Sequence, residues 1–175
     1  MRTNIKISKL DAAKRQIECS ILLYFNECDP ISIHTLTMAA YNVLKSLNKE
    51  QVWMLKDRFT DRIKEGMKAK AWEVLNRYEN FFKHADRDPD GILDFNPDAT
   101  EISLWEACHV YRELTGESPT AMVTYNIWFK RKYENLFTFT PDEAEKNRNS
   151  DEFFEGMGRK EYHKLMTTTL NELNT

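Results

Sequence analysis

The sequence is poor in the features that break helices or build sheets. Its 175 residues include only five glycines and five prolines. Apart from a short piece at 92–95, no segment alternates apolar and polar residues as a half-buried strand does. The longest apolar runs, such as residues 21–25, are far shorter than the roughly 20 residues that cross a bilayer. We therefore predict an all-α protein with no membrane-spanning segment.

Cysteine is also scarce, and there is no excess of positive charge. Three cysteines without a Cys-x-x-Cys pair favour free thiols in a reducing compartment. The first residues lack the apolar stretch of a secretory signal, so we predict a cytoplasmic protein. The net charge of −3, from 25 Lys and Arg against 28 Asp and Glu, argues against general polyanion binding. Binding to RNA would therefore need a local site.

Helical periodicity covers most of the chain. Ser8 and Asp11 form a capping box before a helix at about 9–27, and Asp29-Pro30 begins a second at about 30–47. The other periodic segments are 49–84 (one helix or two, depending on Gly66), 100–114 with a stop at Gly116, a helix opened by residues 118–119, and 150–173, which Gly156 and Gly158 interrupt. These patterns predict a single-domain helical bundle of about six helices over residues 1–175. No phosphate loop or metal-binding histidine pair occurs, so we predict no cofactor.

One polar stripe stands out near the end of the 49–84 segment. At 100° per residue, Arg77, Asn80 and His84 fall within about 60° of one another on a helix, opposite Tyr78 and Phe82. A histidine can deprotonate a 2′-hydroxyl or protonate a leaving oxygen, and an arginine can hold a phosphate. Because positions seven apart lie roughly 10 Å apart along the axis, one helix alone does not bring both groups to one phosphate. We therefore expect a homodimer that combines two stripes.

This stripe carries a resemblance to a known family. Arg77, six intervening residues and His84 resemble the Arg-x(4–6)-His signature of the HEPN superfamily, with Asn80 between them. The run from Asn80 to Asp86 is also similar to an Asn-Phe-Phe-Lys-His-Ala-Asp run in a group of bacterial proteins of unassigned activity. The HEPN resemblance covers residues 9–115, with 118–175 as additional helices. It implies a helical, commonly dimeric protein. Members of the superfamily often cleave RNA as toxins or defence effectors, which would make Arg77, Asn80 and His84 catalytic residues, and others are non-catalytic partners of other proteins.

The following loop supports a different interpretation. Asp86, Asp88, Asp90 and Asp94 occupy oxygen-ligand positions 1, 3, 5 and 9 of an EF-hand loop, with glycine at position 6. Position 12, however, is Pro97 instead of a bidentate glutamate. This alternative predicts at most a weak calcium site.

Two further alternatives involve no catalysis. Aspartate and proline are favoured in turns, so residues 86–98 are also typical of a solvated acidic loop without a site. For the whole protein, the alternative function is a non-enzymatic interaction module, with or without weak calcium binding.

Overall fold

The computed structural model describes residues 4–48, 77–84, 86–134, 137, 141–142, 145 and 153–173. Residues 77–83 are helical, and no strand occurs in these described ranges. Five further helices have defined bounds: α1 (Lys9–Phe25), α2 (Pro30–Leu47), α3 (Asp98–Thr115), α4 (Thr120–Lys132) and α5 (Arg159–Leu173). The prediction of an all-α helical bundle is confirmed. Among the described helices, none combines the length and hydrophobicity needed to cross a membrane.

The first two helices begin where the capping signals predicted. The Asp11 backbone N–H donates to Ser8 Oγ at 3.0 Å, and the Asp11 carboxylate accepts from the Ser8 backbone N–H at 3.3 Å. At the start of α2 the Asp29 carboxylate accepts from the Ser32 N–H at 2.7 Å. Proline at the first helical position, Pro30, loses no hydrogen bond, because that N–H has no partner within the helix.

Helix α3 is the most enclosed helix of the described chain. Ten of its eighteen residues are buried, among them Glu101 and Glu106, so it contacts other elements on most of its circumference. It ends at Gly116, whose φ of 72° lies in the left-handed region that glycine adopts without steric cost. This is the stop that the sequence predicted.

A single hydrophobic core holds the described helices together. It contains residues from all five helices with defined bounds, including Ile17, Leu44, Leu104, Phe129 and Tyr162. Helix α1 packs against the other four, and α2 also packs along α3. Helix α5 buries only Tyr162, so it lies at the outside of the bundle.

Several predicted boundaries change in the structure. The first helix ends at Phe25 rather than residue 27, and the helix predicted for 100–114 runs from Asp98 to Thr115. The helical segment predicted at 150–173 is interrupted, as expected, near Gly156 and Gly158: residues 153–154 are helical, a turn follows at 155–156 with Gly156 at φ 75°, and α5 begins at Arg159. Residues 92–95 form no strand. The choice between one helix and two around Gly66 lies outside the described residues.

Candidate functional site

The helical segment 77–83 is attached to α2 by the side that faces away from the predicted stripe. Tyr78 is buried and Phe82 half-buried, as the helical pattern predicted. The Glu79 carboxylate accepts a hydrogen bond from the Asn42 side-chain amide on α2 and also pairs with Lys83. These contacts leave the opposite side of the segment free to face outward.

A buried histidine lies beneath this segment. His34 of α2 is 0% exposed, and its Nδ1 is 3.0 Å from Thr100 Oγ1 at the start of α3. The rings of Tyr78, Phe82 and Phe95 meet it edge-to-face, with centroids 5.4–5.9 Å away. The other nitrogen, Nε2, has no hydrogen-bond partner among the residues that the structure describes. Burial lowers the pKa of His34 to about 4, so the imidazole is neutral at ordinary pH and belongs to the packing of the segment.

The three predicted site residues line one surface depression. Arg77 and Asn80 are exposed, His84 is 39% exposed, and all three border a depression of about 340 Å³. The remaining lining residues that the structure describes are Phe81, Arg87, Asp88, Ile92 and Leu93. The depression therefore joins the end of the helical segment to the loop that follows it.

Backbone hydrogen bonds turn the loop back toward the helix end. The His84 N–H donates to the Asn80 carbonyl at 3.0 Å, and the Arg87 N–H donates to the His84 carbonyl at 3.1 Å. This turn places Arg87 at the same depression as His84. Asp86 Oδ1 lies 3.9 Å from His84 Nδ1, close enough for a protonated imidazole to be attracted to it.

A second turn directs the Asp88 side chain. The Gly91 N–H donates to the Asp88 carbonyl at 3.2 Å, and the Asp88 carboxylate lies directly over the glycine. A Cβ atom at residue 91 would come within 2.1 Å of Asp88 Oδ2. Only glycine at residue 91 therefore leaves the carboxylate room to occupy this position.

The residues that line the depression combine basic and apolar side chains. Two guanidinium groups, from Arg77 and Arg87, are opposed by the single carboxylate of Asp88 among the lining residues. Phe81 and Ile92 add apolar surface, and Ile92 is 96% exposed. Guanidinium groups bind phosphate oxygens in pairs of parallel hydrogen bonds, and aromatic rings stack on nucleobases. A nucleotide phosphate with its base matches this combination.

The four aspartates of the predicted calcium loop are exposed, and only Asp88 of the four borders the depression. In the ranges that the structure describes, no group of three or more His, Cys, Asp or Glu side chains could hold a metal ion. Weak calcium binding by Asp86, Asp88, Asp90 and Asp94 stays a prediction.

Sequence reasoning missed part of the depression. Arg87 and Phe81 were not singled out, and Asp88 was considered only as a calcium ligand. The helical period identifies residues that share a side of a helix, but it does not reveal where a loop returns. The one usable signal was the Asp88-Pro89-Asp90-Gly91 sequence, which is typical of a tight turn.

The bundle contains a second polar cluster, which the sequence did not predict, around the buried carboxylate of Glu101. Lys132 Nζ donates to both of its oxygens at 2.8 Å, and the Tyr133 hydroxyl donates at 3.1 Å. The Arg159 guanidinium lies 3.9 Å away and covers the Tyr24 ring, 4.5 Å from its centroid. This cluster joins α3, the end of α4 and α5. Because Glu101 is only 4% exposed, we assign the cluster a structural role.

Comparison with protein-family models, with curated proteins and with solved structures gave no match for this chain.

Proposed function

We propose that the protein is an RNA-directed nuclease of the HEPN type that works without a metal ion at the depression lined by Arg77, Asn80 and His84. The observation that carries this proposal is that the three residues, 77, 80 and 84, border one outward-facing depression together with a second arginine, Arg87. A guanidinium pair, an amide and an imidazole at one accessible surface are the groups that phosphodiester cleavage through a 2′-hydroxyl requires.

The reaction consumes no cofactor. A base takes the proton of the 2′-hydroxyl, O2′ attacks the adjacent phosphorus, and the bond from phosphorus to O5′ breaks as an acid protonates O5′. The products are a 2′,3′-cyclic phosphate and a 5′-hydroxyl. His84 supplies one of the two proton transfers, and the arginines stabilise the charge that develops on the phosphoryl oxygens.

Location and assembly are part of the same proposal. The three cysteines, Cys19, Cys28 and Cys108, are free thiols, which supports a reducing cytoplasm where RNA is accessible. A homodimer stays a prediction, which light scattering on the purified protein tests directly.

The test is cleavage of a fluorescent, mixed-sequence RNA by the full-length protein in EDTA. Wild type should produce 2′,3′-cyclic phosphate ends, and His84→Ala should lower the rate by about 100-fold or more, because general acid–base groups contribute 10²–10⁴-fold. Arg77→Ala should lower both the rate and RNA binding. Arg15→Ala is the matched control, since Arg15 is an exposed arginine on α1 that does not border the depression.

Two outcomes would contradict the proposal. One is the absence of RNA cleavage by wild type, and the other is cleavage that persists unchanged in His84→Ala. Both variants should keep the circular dichroism spectrum and melting temperature of wild type, because substitutions of exposed residues usually change stability by about 0.5 kcal/mol or less. A large loss of melting temperature would instead assign the residue a structural role.

One observation favours the non-enzymatic alternative. Ile92 is 96% exposed at the edge of the same depression, more than any other large apolar side chain in the described ranges. An interaction module would cover Ile92 with another protein. Ile92→Ser should then abolish partner binding, whereas an RNase would lose part of its RNA affinity and keep its cleavage chemistry.

A further inference from the structure

We infer that a single chain supplies both proton-transfer groups, with Asp88 as the general base that accepts the 2′-hydroxyl proton and His84 as the general acid that protonates the leaving O5′. This inference rests on the proposed function and names two catalytic groups in one site.

The first support is the position of Asp88. Its side chain borders the same depression as His84 and both arginines, whereas Asp86 and Asp90 do not. Asp88 is exposed, so substrate can reach its carboxylate. An ionised carboxylate can only accept hydrogen bonds and protons, which suits a base. Histidine changes its charge near neutrality and can therefore carry the proton that a leaving oxygen needs.

The second support is the space above Gly91. A Cβ atom at residue 91 would lie 2.5 Å from Asp88 Cγ as well as 2.1 Å from Oδ2, so any larger residue would force the carboxylate to rotate away. The turn from Asp88 to Gly91 therefore leaves room for the base in this position as well as reversing the chain. Gly91 is a positioning residue in this account.

The third support is Arg87. Arg77 lies almost two helical turns before His84, about 10 Å along the axis, and is too far to hold the same phosphate without help. Arg87 follows His84 through the turn in which its N–H donates to the His84 carbonyl, and it borders the same depression. Arg87 can hold the phosphate that reacts, and Arg77 then binds a neighbouring phosphate of the same strand. With two arginines against one carboxylate, the lining still attracts a polyanion.

The bonds and protons of the proposed reaction balance without any further reactant. The Asp88 carboxylate takes the O2′ proton, the new bond from O2′ to phosphorus replaces the bond from phosphorus to O5′, and the His84 imidazolium gives its proton to O5′. Afterwards Asp88 is protonated and His84 is neutral. Exchange of protons with water restores both groups.

The test uses Asp88→Asn, Gly91→Ala and the matched control Asp90→Asn, each in the full-length protein with fluorescent RNA. Asp90 is exposed in the same turn and does not border the depression. Asp88→Asn should lower the cleavage rate by about 100-fold or more and leave RNA affinity unchanged or tighter. Its pH–rate profile should lose the acidic limb that the base produces in wild type. Asp90→Asn should retain the rate and the bell-shaped profile.

Gly91→Ala should also lower the cleavage rate. Adding it to Asp88→Asn should have no further effect, because both changes act on the same group, the Asp88 carboxylate. Arg87→Ala should weaken RNA binding and reduce its salt dependence by about one phosphate contact. Mixing the inactive Asp88→Asn and His84→Ala subunits should not restore activity.

The outcomes separate this inference from the proposed function. Wild-type cleavage that requires His84 but continues at full rate and with an unchanged pH profile in Asp88→Asn overturns only the inference. Recovery of activity on mixing the two inactive subunits also overturns it, since the site would then be shared between chains. No cleavage by wild type overturns the proposed function and the inference together.

Discussion

Acid should destabilise the protein through His34, the histidine that the bundle buries beneath the helical segment 77–83. Burial lowers the pKa of His34 to about 4, from an ordinary value of 6.5. Two smaller effects oppose each other: the Glu79 carboxylate raises the pKa and the Lys83 ammonium lowers it. Thr100 Oγ1 lies at hydrogen-bond distance from Nδ1, and within the described part of the chain Nε2 has no partner, so a second proton would have no acceptor there.

The direction in which pH changes the stability of the fold follows from proton linkage. The unfolded chain binds a proton at His34 as the pH falls through 6.5, whereas the folded chain resists it until about pH 4. The contribution of the neutral imidazole is therefore complete above pH 6.5 and is lost progressively as the pH falls from 6.5 to 4. The two values predict a loss of about 2 kcal/mol at pH 5 and about 3 kcal/mol below pH 4, since one pKa unit corresponds to about 1.4 kcal/mol.

The assay is urea unfolding of wild type and His34→Leu at pH 7.5 and pH 5.0. Leucine cannot titrate, so the difference in unfolding free energy between the two proteins should change by about 2 kcal/mol between these pH values, whatever its absolute size. Other titrating groups, including the partly buried His163, cancel in this comparison. A difference that does not change with pH, or an NMR titration placing the pKa of His34 at 6.5 or above, would refute the reasoning.

Three further predictions concern other parts of the chain. Gly116→Ala should cost about 1 kcal/mol, or about 3 °C in melting temperature, because φ is 72° there and no neighbour adds a clash. An unchanged melting temperature would contradict the left-handed cap. Lys132→Met should cost about 2 kcal/mol, because Glu101 loses its main partner but keeps Tyr133. The exposed Lys160→Met is the control, and equal melting temperatures of the two variants would contradict the structural role of the cluster. In calorimetry, calcium should bind no tighter than about 10⁻⁴ M, and micromolar binding abolished by Asp86→Ala would overturn that prediction.

Local signals predicted the helix ends because their causes lie within a few residues. Ser8 and Asp11 are three apart, and Asp29 accepts from a backbone N–H three residues later. Gly116 stops α3 through its own backbone conformation. Such features depend on hydrogen bonds and sterics inside one turn, so the printed sequence contains nearly all the necessary information.

Burial and long-range partners could not be predicted in this way. His34 belongs to no metal-binding histidine pair in the sequence, and its hydrogen-bond partner Thr100 is 66 residues away. The Glu101 carboxylate would be expected in solvent at the start of a helix, but it is buried and accepts a hydrogen bond from Lys132, 31 residues later. Helix docking decides both contacts, and a periodic pattern does not specify which helices meet.

Only the helical part of the candidate site was predictable from the sequence. The 100° period places Arg77, Asn80 and His84 on one side of the helix, opposite the apolar Tyr78 and Phe82, and in the structure the three residues border one depression. The position of Asp88 depends on two successive turns and on the absence of a side chain at residue 91. Composition identifies that loop as a turn region, but its direction becomes visible only in the folded chain.

The most direct test of the proposed function is cleavage of a DNA oligonucleotide that contains a single ribonucleotide. In EDTA, mass spectrometry of the wild-type products should show one cut, 3′ of the ribonucleotide, that leaves a 2′,3′-cyclic phosphate. His84→Ala should leave this substrate intact. Cuts at other positions, products with a 3′-hydroxyl, or no cut at all would contradict cleavage through the 2′-hydroxyl at the depression around His84.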